Sequence, residues 1–335
     1  MKKATIVVSA PYMGNRLFDL GNKSLNRDDC LRAFFLLKEE FKLKGYDLST
    51  QDVNSEIESE VVIYNEMPKD FSNVVKEKSY LLIFESDIIR PDNWDLRKHD
   101  QFKKIFTWND DYVDNVKYFK MNFPNTFHYT NPEKCLREKF AALISGNKTS
   151  RHERELYSER LKTIHWFEKN HSYDFDYYGF GWDQYNFGSQ VIGKILKKLG
   201  AYKFLPKRTT CSYKGLVDSK FETLRRYQFN ICYENGYDIT GYITEKIFDA
   251  LFAGCIPIYW GAQNIRAFVP ENCFIDRRVF STNEALYLHL KSLKYESILK
   301  YQENILAYLK SEEAKFFSSE YFAKNLSKKI LCLKS

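Results

Sequence analysis

One stretch, residues 229–280, constrains the fold more than any other part of the chain. It begins with a short apolar run, 229–233, which has the length of a buried strand. A polar loop follows, and Gly254 ends the next segment before a second apolar run, 255–260. Between the loop and that glycine, apolar residues recur at helical spacing: Ile243, Ile247, Phe248 and Leu251. This order of strand, helix and strand predicts a parallel sheet with crossover helices.

The loop of this stretch brings polar side chains to the carboxyl edge of the predicted sheet, where open α/β sheets bind their ligands. The helix that follows begins there, and its free N–H groups attract phosphate. Lys246 lies in the first turn of that helix, where its charge opposes the helix dipole. A bound diphosphate would satisfy both the lysine and the dipole, although a solvated surface lysine is the simpler alternative. Four polar neighbours favour a ligand site at this edge: Glu234, Asn235, Tyr242 and Glu245.

The length and composition of the chain indicate two folded domains. Its 335 residues are 44% hydrophobic and 17% aromatic, which is enough to bury two cores and excludes a disordered chain. The formal net charge of +7 favours an anionic partner such as a nucleotide diphosphate, a lipid surface or a nucleic acid. No nucleic-acid-binding motif accompanies this charge, so we predict no nucleic-acid partner.

The cysteines and the two ends of the sequence indicate a compartment. Seven cysteines show no CxxC spacing, which favours reduced thiols in the cytoplasm. The apolar run 5–9 is too short for a signal peptide, and no run approaches the length of a membrane span. Residues 321–334 mix apolar and basic side chains at helical spacing. Such a helix could touch the inner face of an anionic membrane, although packing across a domain is more common. We therefore predict a cytoplasmic protein and leave peripheral membrane contact open.

A second candidate site lies in the first part of the chain. Apolar runs of strand length occur at 61–64, 80–84 and 104–107, and an amphipathic helical pattern runs from 31 to 41, with Asn26 or Asp28 to open the helix. Strands that alternate with helical patterns predict an α/β domain over residues 1–146. Glu85 follows the apolar run 80–84 and should stand at the carboxyl edge of that domain's sheet. A carboxylate beside so apolar a strand could act as a general base. The alternative is an acid that caps a helix or stabilises the loop.

Several short motifs resemble those of a known family. In the central stretch these are Glu234-Asn235, the run Gly-Tyr-Ile-Thr-Glu-Lys at 241–246 and the run Ala-Gly-Cys-Ile-Pro-Ile at 253–258. They are similar to the donor-binding signature of the α-1,3/4-fucosyltransferases, glycosyltransferase family 10. The run Phe-Glu-Ser at 84–86 is similar to the glutamate motif in the first domain of that family. The chain departs from the family at 236–239, which lie between the asparagine and the Gly-Tyr pair.

The resemblance implies the GT-B fold, in which two Rossmann-like α/β domains face a cleft. Residues 1–146 would bind the acceptor, residues 150–310 would bind GDP-fucose, and residues 311–335 would form a C-terminal helical tail. The implied reaction is an inverting transfer of L-fucose from GDP-β-L-fucose to a glycan hydroxyl. The implied acceptor position is O3 of GlcNAc or Glc in an oligosaccharide such as N-acetyllactosamine, in the synthesis of lipopolysaccharide or Lewis antigen glycans. Both α-1,3 and α-1,4 linkages stay open.

The resemblance also assigns roles to individual residues. Glu85 would take the proton from the acceptor hydroxyl. Arg154 would bind the pyrophosphate of the donor, with Arg151 and Arg160 as alternatives. It lies at the start of a helix that the apolar pattern predicts over 154–169, with Leu161, Ile164 and Phe167 among its inward positions. Lys246 and the helix N-terminus would neutralise the diphosphate that leaves. The other predicted donor contacts are Glu234, Asn235 and Tyr242 on the nucleotide side, and Glu245 for ribose or fucose hydroxyls.

No metal site is predicted. Asp174 and Asp176 form an Asp-x-Asp pattern, which holds a divalent metal in the other large glycosyltransferase fold. That pattern should follow an apolar strand, whereas here the apolar run comes after it. Two cations and a helix dipole can neutralise the leaving group without a cofactor, although Mn²⁺ or Mg²⁺ could stimulate the reaction.

Two other functions stay open at the level of sequence. The first is a related GT-B transferase that uses another nucleotide sugar, because a few side chains decide donor choice. The second is a non-catalytic module that binds a sugar or a nucleotide. Glu85 discriminates the second from the enzymes, because a binding module has no need of a base at that position.

Overall fold

The computed structural model describes residues 1–131, 137–183, 195, 198–200 and 210–331. The chain divides into two compact units, each with its own hydrophobic core. The first unit comprises Met1–Phe127, Thr240–Glu245 and Glu312–Ser335. The second unit comprises His128–Ile239 and Lys246–Ser311.

A parallel sheet forms the core of the first unit. Its strands are β1 Lys2–Val7, β2 Tyr46–Thr50, β3 Val61–Asn65, β4 Ser79–Ile83, β5 Lys104–Thr107 and β6 Tyr118–Lys120. Their spatial order is β2-β1-β3-β4-β5-β6, and every neighbouring pair is parallel. The central strands β3 and β4 are almost entirely buried, as expected for strands that are covered on both faces. The predicted strands near 61–64, 80–84 and 104–107 are therefore confirmed.

Two helices lie along the first part of this unit, α1 Arg32–Leu43 and α2 Leu96–His99. The amphipathic helix predicted around residues 31–41 is confirmed as α1, and its apolar face buries Leu37 and Phe41. Asn26, one of the two residues predicted to open this helix, accepts the Leu31 N–H at 2.9 Å through its side-chain oxygen. This bond closes the turn that precedes α1. Asn26 therefore stabilises the start of the helix from the turn before it and does not occupy the N-cap position itself.

A second parallel sheet forms the core of the second unit. Its strands are β7 Lys139–Ile144, β8 Phe175–Tyr178, β9 Tyr227–Tyr233, β10 Ile256–Trp260 and β11 Ile275–Asp276. Their spatial order is β11-β10-β9-β7-β8, again with every pair parallel. Because β7 pairs with β8 and β9, the predicted first domain of residues 1–146 extends too far along the chain.

The helices of the second unit cover this sheet. They are α3 Tyr157–Asn170, α4 Lys220–Leu224, α5 Glu245–Phe252, α6 Asn283–Ser292 and α7 Tyr295–Leu309. The helix predicted from 154 to 169 is confirmed as α3, and Ile164 and Phe167 point inward as predicted. Leu161 was predicted to be buried and is 39% exposed, because the inward positions of α3 run through Tyr157, Arg160 and Ile164 instead.

The chain ends in two further helices, α8 Glu312–Lys315 and α9 Ser319–Leu331. Residues 311–335 were predicted to form a C-terminal helical tail outside the two domains. The helices are present, but they form no separate unit, because α9 packs against α1 inside the first unit. Phe322 and Leu326 are buried there, and the Phe322 ring meets the Phe34 ring at 5.9 Å. The apolar face of α9 is thus part of a protein core, and its exposed face carries lysines, Lys324 and Lys328.

Across the described ranges, no helix combines the length and the apolar character that crossing a membrane requires. Five cysteines lie within those ranges, and none of them forms a disulfide with another described residue: Cys30, Cys211, Cys232, Cys255 and Cys273. Cys135 and Cys332 lie outside the described residues.

Candidate active site

The loop after β9 begins with a buried acidic residue. Glu234 is 0% exposed, and its backbone N–H continues the ladder of the sheet by donating to the Trp260 carbonyl at 2.8 Å. Its carboxylate lies 3.3 Å from the ammonium of Lys246. A buried carboxylate is tolerated only with such a counter-charge. Gly261 completes the packing, because a Cβ at that position would collide with the Glu234 side chain and the Tyr259 ring.

Lys246 is therefore placed by the protein itself. It follows the first residue of α5, whose apolar face buries Ile247 and Leu251, and its side chain is 19% exposed. The sequence predicts that a lysine in the first turn of a helix needs a reason, and a bound diphosphate is one sufficient reason. Glu234 supplies a second sufficient reason, because its buried charge must be neutralised whether or not a ligand is bound.

A buried arginine holds the same loop from the other side. Arg160 projects inward from α3, and one nitrogen of its guanidinium donates to the carbonyls of Tyr233 and Glu234, both at 2.7 Å. The same nitrogen lies 3.1 Å from the side-chain oxygen of Asn235. Arg160 was one alternative for the pyrophosphate ligand, but these bonds assign it to the loop. A sequence signal was present, because Arg160 occupies an inward position of the helical pattern.

The segment that carries Arg154 lies alongside this loop. The Tyr237 N–H donates to the Arg154 carbonyl at 3.0 Å, and the Leu156 N–H donates to the Asn235 carbonyl at 3.0 Å. Residues 154–156 thus form a short antiparallel bridge with residues 235–237. The structure brings Arg154, Asn235 and the Glu234–Lys246 pair to one edge of the second sheet, while Arg151 is exposed.

Tyr242 and Glu245 belong to the first unit. The Tyr242 ring is 1% exposed and packs against Trp108, with centroids 4.7 Å apart, and against Phe123. This burial leaves little of the ring for a ligand. Gly241 precedes it with a φ of +78°, and a Cβ there would collide with the Trp108 carbonyl, so the turn requires glycine. Glu245 is half-buried at the first position of α5.

Glu85 stands where the sequence predicts, two residues after β4 at the carboxyl edge of the first sheet. Two indole N–H groups hold its turn. Trp108 donates to the Phe84 carbonyl at 2.8 Å, and Trp94 donates to the Glu85 carbonyl at 3.1 Å. Glu85 is half-buried, so its position is fixed while part of its side chain stays accessible to an acceptor.

A second glutamate supports this turn, and sequence reasoning missed it. Glu66 follows β3 directly, and one of its carboxylate oxygens accepts the N–H groups of both Phe84 and Glu85 at 3.0 Å. Burial raises the pKa of Glu66 to about 7, against the opposing effect of its hydrogen bonds from Asn93 and from the two backbone N–H groups. The signal was available, because Glu66 follows an apolar run at the same sheet edge as Glu85.

Two buried polar atoms near these glutamates have no hydrogen-bond partner among the described residues. They are the side-chain oxygens of Asn65 and Ser86, which neighbour Glu66 and Glu85 in the chain.

The Asp-x-Asp pattern has protein partners. Asp174 accepts from Tyr287 at 2.6 Å and pairs with Lys291, and Asp176 accepts from Tyr227 at 2.6 Å and pairs with Lys139. Both line a cavity of about 500 Å³ at the amino ends of β7 and β9, the sheet edge opposite the Glu234 loop. Burial raises the pKa of Asp176, but its bonds from Lys139 and Tyr227 outweigh burial and hold that pKa below its usual range. No cluster of metal-ligating side chains occurs in the described ranges.

Comparisons with known proteins show which family this chain resembles in sequence. Residues 135–310, just over half of the chain, match the family model described as glycosyltransferase family 10 (fucosyltransferase) C-term. The α-(1,3)-fucosyltransferase FucT of Helicobacter pylori is 39% identical over 132 residues, 37% of this chain and 25% of that protein. An α-(1,4)-fucosyltransferase of Arabidopsis thaliana is 39% identical over 70 residues, 21% of this chain and 17% of its own length. The chain thus spans a quarter or less of the length of these curated relatives.

Solved structures establish the fold. A crystal structure of an α1,3-fucosyltransferase with GDP-fucose aligns with a TM-score of 0.53 and 16% identity, covering 100% of this chain and 91% of that one. An α-glucosyltransferase solved with UDP and a 13-mer DNA aligns with a TM-score of 0.58 and 10% identity, covering 99% of this chain and 100% of that one. At such identities the likeness shows the fold alone, which is the predicted GT-B fold. The match of the family model shows more than the fold: this chain belongs to glycosyltransferase family 10, the fucosyltransferase family.

Proposed function

We propose that this protein transfers L-fucose from GDP-β-L-fucose, with inversion, to O3 of a GlcNAc or Glc residue in a glycan. One observation carries the proposal. The loop after β9, where the Arg154 segment, Asn235 and the Glu234–Lys246 pair meet, lies within the region that matches the fucosyltransferase family model. The donor in the related crystal structure, GDP-fucose, and the α-(1,3) activity named for the Helicobacter pylori relative support the choice of donor and linkage.

The proposed step forms one bond and breaks another. The acceptor oxygen bonds to C1 of fucose, and the bond from C1 to the diphosphate oxygen breaks, so that GDP leaves with the electron pair. Glu85 takes the proton of the acceptor hydroxyl. Arg154 binds the pyrophosphate, because its planar fork can contact two phosphate oxygens at once. Lys246 and the N-terminus of α5 stabilise the charge that develops on the diphosphate.

The remaining donor contacts are assigned to polar side chains near the same loop. Asn235 lines the nucleotide, and its backbone is fixed by the Leu156 N–H. Glu245 accepts a hydrogen bond from a ribose or fucose hydroxyl. Glu234 acts on the donor through Lys246, since its own carboxylate is fully buried. We assign no nucleotide contact to Tyr242, because its ring is buried against Trp108.

The acceptor, the cofactor and the cellular place belong to the same proposal. The first unit binds the acceptor, an oligosaccharide such as N-acetyllactosamine in a surface polysaccharide or Lewis-type glycan. No metal is required, and Mn²⁺ or Mg²⁺ at most stimulates the reaction. The enzyme acts in the cytoplasm. Any contact with an anionic membrane would go through lysines such as Lys324 and Lys328, because the apolar face of α9 is buried.

A comparison of donors tests the proposal. The purified protein is incubated with lactose or N-acetyllactosamine and with GDP-fucose, GDP-mannose or UDP-galactose, each with and without EDTA, and products are identified by mass. EDTA-resistant transfer from GDP-fucose alone is the expected result. Turnover of another donor with GDP-fucose inert would contradict the proposed donor.

A transferase with another nucleotide sugar is the second candidate function. The fold similarity to an α-glucosyltransferase solved with UDP favours keeping it, because the same fold accepts a different nucleotide there. The donor comparison separates the two enzymes. If no donor turns over while GDP binds, a non-catalytic binding module becomes the better description.

A further inference from the structure

The turn that carries Glu85 is held by more bonds than a surface turn needs. Glu66 accepts the N–H groups of Phe84 and Glu85 through a single oxygen, both at 3.0 Å. The carbonyl of Glu85 accepts from the Trp94 indole at 3.1 Å and from the Asn93 amide at 3.3 Å. The peptide groups on both sides of Glu85 are thus fixed by side chains, which restricts where its carboxylate can point.

Glu66 is itself fixed by a closed network. Its other carboxylate oxygen accepts from the Asn93 amide, whose own oxygen accepts the Met67 N–H at 2.8 Å. Asn93 is completely buried, and its carbonyl bonds the ring of buried His99 at 2.7 Å. The carboxylate of Glu66 therefore cannot turn away from the Glu85 turn without breaking bonds that are shielded from water.

The backbone at Glu66 is in an unusual conformation. Its φ of +77° lies in the left-handed region that favours glycine, and side chains are rarely found there without a compensating gain. At Glu66 that gain is the pair of hydrogen bonds from the Phe84 and Glu85 N–H groups. A glycine at this position would relieve the backbone but would leave both N–H groups without that acceptor.

The charges around Glu66 are few. Glu85 is close enough for its negative charge to oppose ionisation of Glu66, and the guanidinium of Arg90 acts on both carboxylates. Arg90 is paired with Asp92 at 2.6 Å, which offsets part of its positive charge. Burial lowers the pKa of His99, which keeps that ring neutral near pH 7. The repulsion between the two carboxylates is mutual. A negative charge on Glu66 therefore makes a proton that Glu85 has accepted harder to remove.

Resting on the proposed function, we propose that Glu66 is a positioning residue for the transfer step. It fixes the turn that aims Glu85 at the acceptor hydroxyl, and its negative charge beside the Glu85 carboxylate strengthens that carboxylate as a base. Glu66 does not touch the substrate in this scheme. It acts through Glu85, which alone receives the proton.

The test compares two variants across pH. Glu66→Gln keeps an acceptor for the two N–H groups but removes the charge, and Glu56→Gln is the matched control. Glu56 is a carboxylate that accepts from Tyr64 on β3 at 2.6 Å and does not bond the Glu85 turn. We expect Glu66→Gln to lower kcat by about 10- to 100-fold, with KM for GDP-fucose changed by less than about twofold, while Glu56→Gln keeps the wild-type kcat.

The pH profile separates positioning from a merely structural role. Burial places the pKa of Glu66 at about 7, so kcat of the wild type should rise through an ionisation near neutral pH that Glu66→Gln lacks. A Glu66→Gln enzyme with wild-type kcat would overturn the inference. So would a uniform fall in kcat with an unchanged pH profile.

A second readout needs no turnover and keeps this inference distinct from the proposed function. In protein labelled with ¹⁵N at Phe and Glu, the amide shifts of Phe84 and Glu85 should follow an ionisation near pH 7 in the wild type and not in Glu66→Gln. If the amide shifts of Phe84 and Glu85 have the same pH dependence in the wild type and in Glu66→Gln, the inference is overturned, whatever donor is used. If these amide shifts do follow the ionisation of Glu66 but the protein is inactive with every donor, the proposed function is overturned, and with it the role of Glu66 in transfer.

Discussion

Lys246 has two tasks at the scale of single residues, and one substitution tests both. It neutralises the buried Glu234, and in the proposed reaction it stabilises the departing diphosphate. Lys246→Ala should slow transfer by about 30- to 150-fold, the loss of one charge-assisted bond of about 2 to 3 kcal/mol. It should also lower the free energy of unfolding, because Glu234 would keep a buried charge without its compensation. Steady-state rates and urea unfolding of the same preparation separate the two effects.

Lys220 offers the control for this substitution. It lies on α4 and pairs at 2.8 Å with Asp249 of α5, the helix that carries Lys246, and its side chain is similarly shielded from solvent. Lys220→Ala should reduce stability without a comparable loss of rate. A loss of less than about threefold in Lys246→Ala would remove Lys246 from the proposed mechanism, since a charge-assisted bond is worth more than that.

Arg160 should matter for donor affinity although it is assigned no contact with the donor. Arg160→Ala would remove the guanidinium hydrogen bonds to the carbonyls of Tyr233 and Glu234, at a cost of roughly 2 to 4 kcal/mol in the free energy of unfolding. The loop it holds should loosen, so the Kd for GDP, measured by calorimetry, should rise. Lys162→Ala is the control, because Lys162 lies on the exposed face of the same helix and should leave both quantities unchanged. Wild-type stability in Arg160→Ala would show that the loop is held by other contacts.

The residues that sequence reasoning found and missed differ in a physical way. Glu234, Asn235 and Arg154 were found because short motifs mark them, and the structure brings them to one sheet edge. Arg160 was considered only as a phosphate ligand, because a charged side chain on a helix is usually solvated. Glu66 was missed because its partners are backbone N–H groups in the turn after β4. Its place after an apolar run was visible, but a sequence does not show which turns meet at a sheet edge.

At the scale of elements, α9 is a structural part of the first unit. Phe322→Ala should cost about 3 to 5 kcal/mol in the free energy of unfolding, because it would leave a cavity between α9 and α1 where Phe34 and Phe322 meet. Lys324→Ala on the exposed face of the same helix should change stability by less than about 0.5 kcal/mol. Chemical denaturation of both variants checks this. Equal stability of Phe322→Ala and the wild type would contradict the packing of α9 in this core.

The elements themselves could be predicted better than their partners. Apolar runs of strand length located β3, β4, β5, β9 and β10, because buried parallel strands read as continuous apolar segments. The amphipathic pattern of α9 was also visible, but such a pattern does not specify which surface covers the apolar face. The fit against α1 is a long-range contact, so the sequence left open whether this face packs across a domain or touches a membrane, and the structure shows a core helix.

At the scale of the whole molecule, stability should depend on the ionisation of Glu66. Its pKa is raised to about 7 from an ordinary 4.5, so the folded chain binds this proton more tightly than the unfolded chain does. The contribution of this proton to stability is complete below about pH 4.5 and is lost as the pH rises through 7. Relative to Glu66→Gln, the wild type should therefore lose up to roughly 3 kcal/mol between acidic and mildly alkaline pH. Parallel pH dependences of the two proteins in urea unfolding would contradict the raised pKa.

The order of strand and helix patterns predicted the fold of the whole chain. It did not predict which segments of the chain belong to which unit. Alternating strands and helices predicted two α/β units, and both sheets are parallel. The boundary was misplaced because β7 continues an ordinary apolar pattern, and its pairing with β9 involves residues far along the chain. The short segment Thr240–Glu245 belongs to the first unit although its neighbours on both sides belong to the second, which no local pattern signals.

The most direct test of the proposed function measures GDP binding and fucose transfer separately, because the proposal assigns these tasks to different units. In the proposed reaction the base, Glu85, belongs to the first unit, and the donor loop belongs to the second. Glu85→Gln should therefore leave the Kd for GDP within about twofold of the wild-type value while transfer from GDP-fucose falls by about 100-fold or more. Full transfer activity in Glu85→Gln would contradict the assignment of the base and, with it, this division of work.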